Sequence, residues 1–211
     1  LLKLAIEFRP EKREYKVQVP IFFKLLLPIA RRFHTFFRRP EFAVACTKAD
    51  SKLIQAGLDQ TFTPEEFVGL RFIYAVVFVP IAFVLLALGG KMLTVLGLMV
   101  LAMGVGYPLL WLNGQVKLRH RRIQRSLPNV LDLLTLSVEA GRDFLTALRD
   151  ILQNRERDPL SEELERVFRE VQLGKQRRQA LRAMADRVKQ ADLSSMVETL
   201  VQADELGVSI G

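Results

Sequence analysis

The 211-residue chain has one cysteine, Cys46, and two histidines, His34 and His120. A single cysteine excludes a disulfide framework and any metal site built from several cysteines. Two histidines make a histidine-rich metal centre implausible. The phosphate-loop pattern G-x-x-x-x-G-K-[ST] is missing, as are G-x-G-x-x-G, H-E-x-x-H and G-x-S-x-G. We therefore predict no enzymatic activity, no cofactor, and no catalytic or metal site.

The surroundings of these scarce residues favour structural roles. Both histidines lie among basic residues, which disfavour a protonated imidazole and a bound cation, so we expect solvated or interfacial side chains. Cys46 lies in the apolar stretch FAVACTKA and is expected to be a small core residue.

Charge is missing from most of the middle third. Residues 72–90 contain no charged side chain, and neither do residues 92–116. Because a helix rises about 1.5 Å per residue, roughly 20 apolar residues cross a bilayer core of about 30 Å. The sequence predicts two spans, 71–89 and 93–112, joined by a tight turn at residues 89–91. The alternative, a buried hairpin of a soluble protein, is disfavoured because uncharged runs of this length are rare in soluble cores.

Basic residues lie on both sides of this hairpin, and the connecting turn carries only Lys91. The positive-inside rule then predicts a multi-pass protein with both flanks of the 71–113 hairpin in the cytoplasm. The excess of 31 basic over 23 acidic residues, a net charge of +8, suits an anionic membrane surface. No nucleic-acid partner is predicted, because basic and acidic residues alternate beyond the hairpin.

Residues 1–70 are predicted to form basic amphipathic helices, cytoplasmic or at the membrane interface. Residues 21–39 combine large apolar with basic side chains, which suits either an interfacial helix or a helix packed on protein. Residues 41–57 are expected to form a helix ending at Gly57. Thr63 is expected to cap the next helix, with Pro64 at its first position and glutamates in its first turn.

The C-terminal part, residues 114–211, reads as a bundle of five short amphipathic helices that begins near Leu127. The first, 127–140, closes at Gly141, and Asp143 caps the second. The third opens at Asp158, and the fourth buries Leu181, Met184, Ala185 and Val188. Asp192 caps the fifth, which ends at Gly207. Short loops favour antiparallel neighbours. The predicted fold class is an all-α integral membrane protein, with a transmembrane helical hairpin and a cytoplasmic antiparallel helical bundle.

Some acidic residues do not fit a plain bundle core. Asp132 and Glu139 form a polar stripe with Thr135, and Asp204 extends an apolar stripe, so each is either exposed near an edge or paired with a neighbour. On the third helix, Glu162–Arg166 and Glu165–Arg169 are expected to be i,i+4 pairs on its outer face.

Several short motifs occur in a fixed order: LPNVLDLL at 127–134, VEAG at 138–141, PLSEEL at 159–164, EVQLGK at 170–175 and QADELGV at 202–208. Their order and spacing resemble the type II secretion F domain of GspF- and PilC-like platform proteins. The nearest likeness is the TadC-like branch of the tight-adherence (Tad) pilus machinery, over roughly residues 45–211. Arg142 and Asp143 depart from the small or apolar residues that are more common in that loop.

This resemblance implies a non-enzymatic platform protein of the cell inner membrane that couples a cytoplasmic secretion ATPase to the polymerisation of pilin subunits. A TadB-like platform partner, membrane lipids and homo- or hetero-oligomers are the other implied partners. The alternatives are a membrane-anchored signalling protein or a transporter subunit. The candidate interaction residues are Glu139, Gly141, Asp143, Glu162, Glu163, Glu165, Gln202, Asp204 and Gly207. Gly141, Gly174 and Gly207 could each equally be an ordinary helix end.

Overall fold

A computed structural model describes residues 42–205, so residues 21–39, with His34 among them, and Gly207 lie outside the described range. Within that range the chain forms α-helices and no strand, which confirms the all-α class for this part of the chain. The helices are α1 (Ala43–Ala56), α2 (Pro64–Ala87), α3 (Lys91–Glu139), α4 (Phe144–Asn154), α5 (Pro159–Gln172), α6 (Arg177–Val188) and α7 (Ala191–Glu205).

The ends of α1 and α2 follow from local side-chain chemistry. Gly57 ends α1 with a left-handed φ of 69°, a conformation that glycine adopts without steric cost. Thr63 begins α2 with a reciprocal capping box, in which its hydroxyl accepts from the Glu66 amide and the Glu66 carboxylate accepts from the Thr63 amide. The predicted helix end at Gly57 and the predicted cap at Thr63 are both confirmed.

The first half of α3 and all of α2 form an apolar hairpin, and both helices are long and apolar enough to be candidate membrane spans. Only 17% of the most apolar window in each helix is buried. The core of a soluble hairpin would be mostly covered, so this exposure argues against the soluble alternative. Large apolar side chains that face outward include Phe72, Val76, Phe83, Met92, Leu98, Met99 and Met103.

Small residues let the two helices of the hairpin approach closely. A Cβ atom added to Gly104 would lie 2.3 Å from the Phe78 Cβ, which is closer than atoms can pack. Tyr74 stacks on Phe78, with ring centroids 5.6 Å apart, and on Tyr107 at 6.2 Å. The glycine and the aromatic cluster together fix the packing of α2 against α3.

Helix α3 is continuous over 49 residues, which corresponds to a length of about 73 Å. The predicted separate bundle helix at 127–140 is therefore wrong, because it is the distal end of the second candidate span. The connecting residues 115–126 contain no glycine or proline that would end a helix. Ile123 and Leu127 also bury one face there against the bundle. One rod thus runs from the hairpin into the bundle.

Helices α4–α7 pack around the distal half of α3, and the predicted apolar stripes form the core. Its buried members include Ile123, Leu127, Val130, Leu148, Leu152, Leu160, Leu164, Val167, Phe168, Leu181, Met184, Val188, Leu193, Val197 and Val201. The prediction that Asp192 caps the last helix is wrong. The Gln190 side chain accepts from the Leu193 amide at 2.6 Å, and Asp192 lies in the first turn, where it accepts from Gln190.

Candidate coupling site between hairpin and bundle

A buried ion pair joins α3 to the bundle. Arg119 follows Leu112 by seven residues, about 10 Å along α3. Its Nη2 donates to Glu163 Oε1 of α5 at 2.9 Å, and the two side chains are 8% and 2% exposed. The second oxygen of Glu163 accepts from Arg187 Nε of α6 at 3.3 Å. One carboxylate therefore connects three helices.

The ion pair continues into a larger cluster, which we call the junction network: Arg119, Glu162, Glu163, Glu170, Lys175 and Arg187. Glu162 approaches Arg119 at 3.4 Å. Arg187 Nη1 donates to Glu170 at 2.8 Å, and Lys175 Nζ donates to the other Glu170 oxygen at 2.5 Å. Three cations thus face three carboxylates. Such a balance is needed because an unpaired buried charge is strongly destabilising.

Gly57 makes room for the central arginine. A Cβ atom at this position would lie 1.3 Å from Arg119 Nη1, so the guanidinium occupies the space that any other residue would fill. Two residues further on, Asp59 accepts from Arg166 of α5 at 3.1 Å. The end of α1, the membrane-proximal part of α3 and α5 therefore meet at one point.

Asp158 forms a second connection between α3 and α5. As the N-cap of α5 it accepts from the Ser161 amide at 2.7 Å, from Arg155 at 2.9 Å and from the Ser126 hydroxyl of α3. Burial acts to raise the pKa of Asp158, but the hydrogen bonds from Ser126, Ser161 and Arg155 outweigh it and hold the pKa below its ordinary value.

His120 forms a third connection, because its Nε2 lies 2.8 Å from the Val188 carbonyl oxygen at the end of α6 and donates to it. The side chain is half-buried. The expected solvated or interfacial role for His120 is therefore wrong, since it binds a carbonyl that the helix end leaves without an intrahelical partner.

The pKa values of Glu162 and Glu170 are shifted in opposite directions. Burial raises the pKa of Glu162, the nearby Arg119 opposes this, and the neighbouring Glu163 adds to the increase. For Glu170, burial opposes ionisation, but Lys175 and Arg187 lower the pKa below its ordinary value. The network therefore holds Glu170 in its charged form more firmly than Glu162.

The acidic residues predicted on α5 form contacts that sequence spacing did not indicate. Glu163 is buried rather than outward, and Glu162 pairs with Arg119 instead of Arg166. Glu165 faces Arg157 at 3.8 Å, while Arg169 donates to the Glu165 backbone oxygen. The expected i,i+4 pairs are thus replaced, because Arg119 and Arg157, from neighbouring segments, approach the same carboxylates.

The other predicted interaction residues lie away from the junction network. Gly141 ends α3 with φ 79° and is exposed, and Asp143 caps α4 by accepting from the Leu145 amide at 3.1 Å. Gln202 is exposed on α7, as is Asp132 of the polar stripe on α3. The side chains of Glu139 and Asp204 lie outside the described part.

Arg119, Arg187 and the role of Gly57 were missed by the sequence analysis. A signal existed for Arg119, which lies four residues before Ile123 and eight before Leu127, on the core-facing stripe of α3. A charged residue on an apolar stripe needs a buried partner. The partner itself comes from a helix 44 residues away and has no local signature.

The bundle is similar to a known family of secretion proteins. Residues 130–210 match the family model described as Type II secretion system (T2SS), protein F. This segment is similar to that secretion protein. It covers the distal end of α3 and all of α4–α7, and it supports the predicted GspF- and PilC-like relationship. No curated protein and no solved structure matches the chain.

Proposed function

We propose that this protein is a non-enzymatic inner-membrane platform of a Tad-type pilus assembly or secretion machine, within the TadC-like branch. Its role is to couple a cytoplasmic ATPase to pilin polymerisation. The observation that carries the proposal is the match of residues 130–210 to protein F of type II secretion, on a bundle continuous with an apolar hairpin.

The continuous helix α3 suits force transmission. About 27 residues, roughly 40 Å of helix, separate Leu112 from the end of α3. A displacement at the distal end of this rod reaches the hairpin without passing through a flexible linker. The junction network and the Ser126–Asp158 contact fasten α5 along the same rod. We infer that the bundle and hairpin move as one body when the ATPase acts.

The docking surface we assign to the ATPase is the distal end of α3 with the following turn. Leu133 and Leu136 are 43% and 62% exposed there, and Gly141 and Asp143 follow on the surface. This surface replaces the acidic helix α5 as first choice, because Glu163 is buried and a charge reversal there would disrupt folding. We further propose that both flanks of the hairpin lie in the cytoplasm, and that the TadB-like partner and pilin subunits bind beside the hairpin.

The test is co-purification of the full-length protein from detergent-solubilised membranes with the secretion ATPase of its host. We expect the wild type to retain the ATPase and Leu136→Asp to lose it. Leu173→Asp is the matched control, since Leu173 is 88% exposed in the turn after α5, away from the proposed surface.

Loss of the ATPase in both variants, or in neither, would contradict the assigned surface. If the wild type binds no ATPase, either alone or with its TadB-like partner present, the platform function itself is wrong.

A further inference from the structure

A polar groove opens beside the junction network. Its volume is about 280 Å³. The groove lies between the loop that follows α1 and one face of α5. It is lined by Gly57, Asp59, Gln60, Thr61, Arg119, Arg157, Glu162, Glu165, Arg166 and Arg169.

The carboxylates of this groove are already engaged by arginines. Asp59 accepts from Arg166, and Glu162 faces Arg119, as described above. Glu165 faces Arg157. The fourth arginine, Arg169, pairs with no carboxylate in the described part of the chain and donates to a backbone oxygen at 3.3 Å. The lining therefore carries one cation in excess.

Arg157 supplies the observation that indicates a ligand. Its Nη2 is buried and has no hydrogen-bond partner. The nearest carboxylate oxygen, Glu165 Oε1, is 3.8 Å away, which is too long for a hydrogen bond. Arg149 Nε and Arg187 Nη2 are also buried without a hydrogen-bond partner, but neither residue lines this groove. Buried donors are satisfied in the great majority of cases, so the exception at the groove indicates a bound group that accepts hydrogen bonds.

The donors available to such a group are guanidinium N–H groups of Arg157 and Arg169, with the exposed Thr61 hydroxyl and Gln60 amide beside them. Planar guanidinium groups suit the oxygen atoms of phosphate, which they bind through paired hydrogen bonds. We propose that this groove binds a phosphate group, held mainly by Arg157 and Arg169.

Two sources could supply that phosphate. Arg119, in the groove wall, lies about 10 Å along α3 beyond the end of the second predicted span, close to the headgroup layer of a bilayer. A phospholipid headgroup is one source, and a soluble phosphate ester is the other. The proposal does not rest on the proposed platform function, since it uses only the groove and its charges.

The experiment uses the full chain purified in a neutral detergent. One arm titrates glycerol 1-phosphate by calorimetry, and the other measures retention of phosphatidylglycerol by native mass spectrometry. We expect saturable binding in at least one arm. Binding of the ester identifies a soluble source, whereas binding of phosphatidylglycerol alone identifies the headgroup.

Arg157→Gln and Arg169→Gln should each weaken that binding roughly tenfold, because each removes charge-assisted hydrogen bonds. Arg182→Gln is the control, since it removes an equal charge from α6 outside the groove and should leave binding unchanged. Arg169 is exposed, so its variant should fold even if Arg157→Gln does not. The proposal is overturned if the wild type binds neither probe, or if Arg182→Gln weakens binding as much as Arg169→Gln.

Discussion

Arg119 on the long helix α3 and Glu163 on α5 form a 2.9 Å ion pair in which both side chains are nearly inaccessible to solvent. Separating α3 from the bundle would take Arg119 away from Glu163 and leave this buried carboxylate with Arg187 as its remaining arginine partner in the junction network. The pair therefore opposes independent movement of the hairpin and the bundle.

Arg119→Met should lower the free energy of unfolding by about 3–5 kcal/mol, because it leaves the buried Glu163 carboxylate with less compensation. The measurement is denaturant unfolding of the purified protein in detergent. Arg182→Met is the control: its pair with Glu198 is about half exposed on both sides and should contribute about 0–1 kcal/mol. If Arg119→Met and Arg182→Met lower the free energy of unfolding by the same small amount, the buried Arg119–Glu163 pair is not a major stabilising contact.

Gly57→Ala should destabilise the protein more than Gly141→Ala. Both glycines end helices with similar left-handed φ values, 69° and 79°, so both substitutions carry a backbone cost of about 1–2 kcal/mol. At Gly57 the new methyl group would also displace the Arg119 guanidinium, whereas nothing lies within 4 Å at Gly141. Thermal unfolding of the two variants gives the comparison. A Gly57 variant as stable as the Gly141 variant would mean that Arg119 adopts another position at no cost.

Gly104→Ala should destabilise the hairpin, since its Cβ would clash with Phe78, and overpacking of this kind costs about 1–3 kcal/mol. Gly106→Ala, two residues away on the same helix, meets its nearest atom at 4.0 Å and should be neutral or stabilising. Melting temperatures in one detergent would compare them. Gly104→Ala should cost less in a Phe78→Gly background than in the wild type, because glycine lacks the Cβ atom that the new methyl group would meet. An equal cost in the two backgrounds would argue against this contact.

The parts of the fold that the sequence predicts are those with local or periodic causes. The Thr63 capping box and the Gly57 helix end depend on neighbours within a few residues. The hairpin follows from two long segments without charged residues. The bundle core follows from apolar residues spaced three and four positions apart. Each of these signals lies within a single segment of the chain, so the sequence alone is enough to predict the feature.

The junction network depends on contacts between distant segments, so it could not be predicted in the same way. Glu163 looks like one of several surface glutamates because its partners, Arg119 and Arg187, lie 44 and 24 residues away. The continuity of α3 was missed for a related reason. A change from apolar to charged composition after Leu112 marks where the helix leaves the predicted span, but it does not mark where the helix ends.

Stability should fall at low pH through Asp158. Its pKa is lowered in the folded protein from an ordinary value of 3.8, since hydrogen bonds from Ser126, Ser161 and Arg155 outweigh the effect of burial. A lowered folded-state pKa means that the unfolded chain binds the proton more readily, so the stabilisation is complete above pH 3.8 and is lost as the pH falls below it. Unfolding measured between neutral pH and pH 3 should show this dependence. Asp158→Asn should reduce this dependence, leaving the part that comes from the lowered pKa of Glu170. Ser126→Ala should reduce it by less, because Ser126 supplies one of the hydrogen bonds to Asp158. If wild type and Asp158→Asn lose stability in parallel over this range, the Asp158 network is not the source of the acid sensitivity.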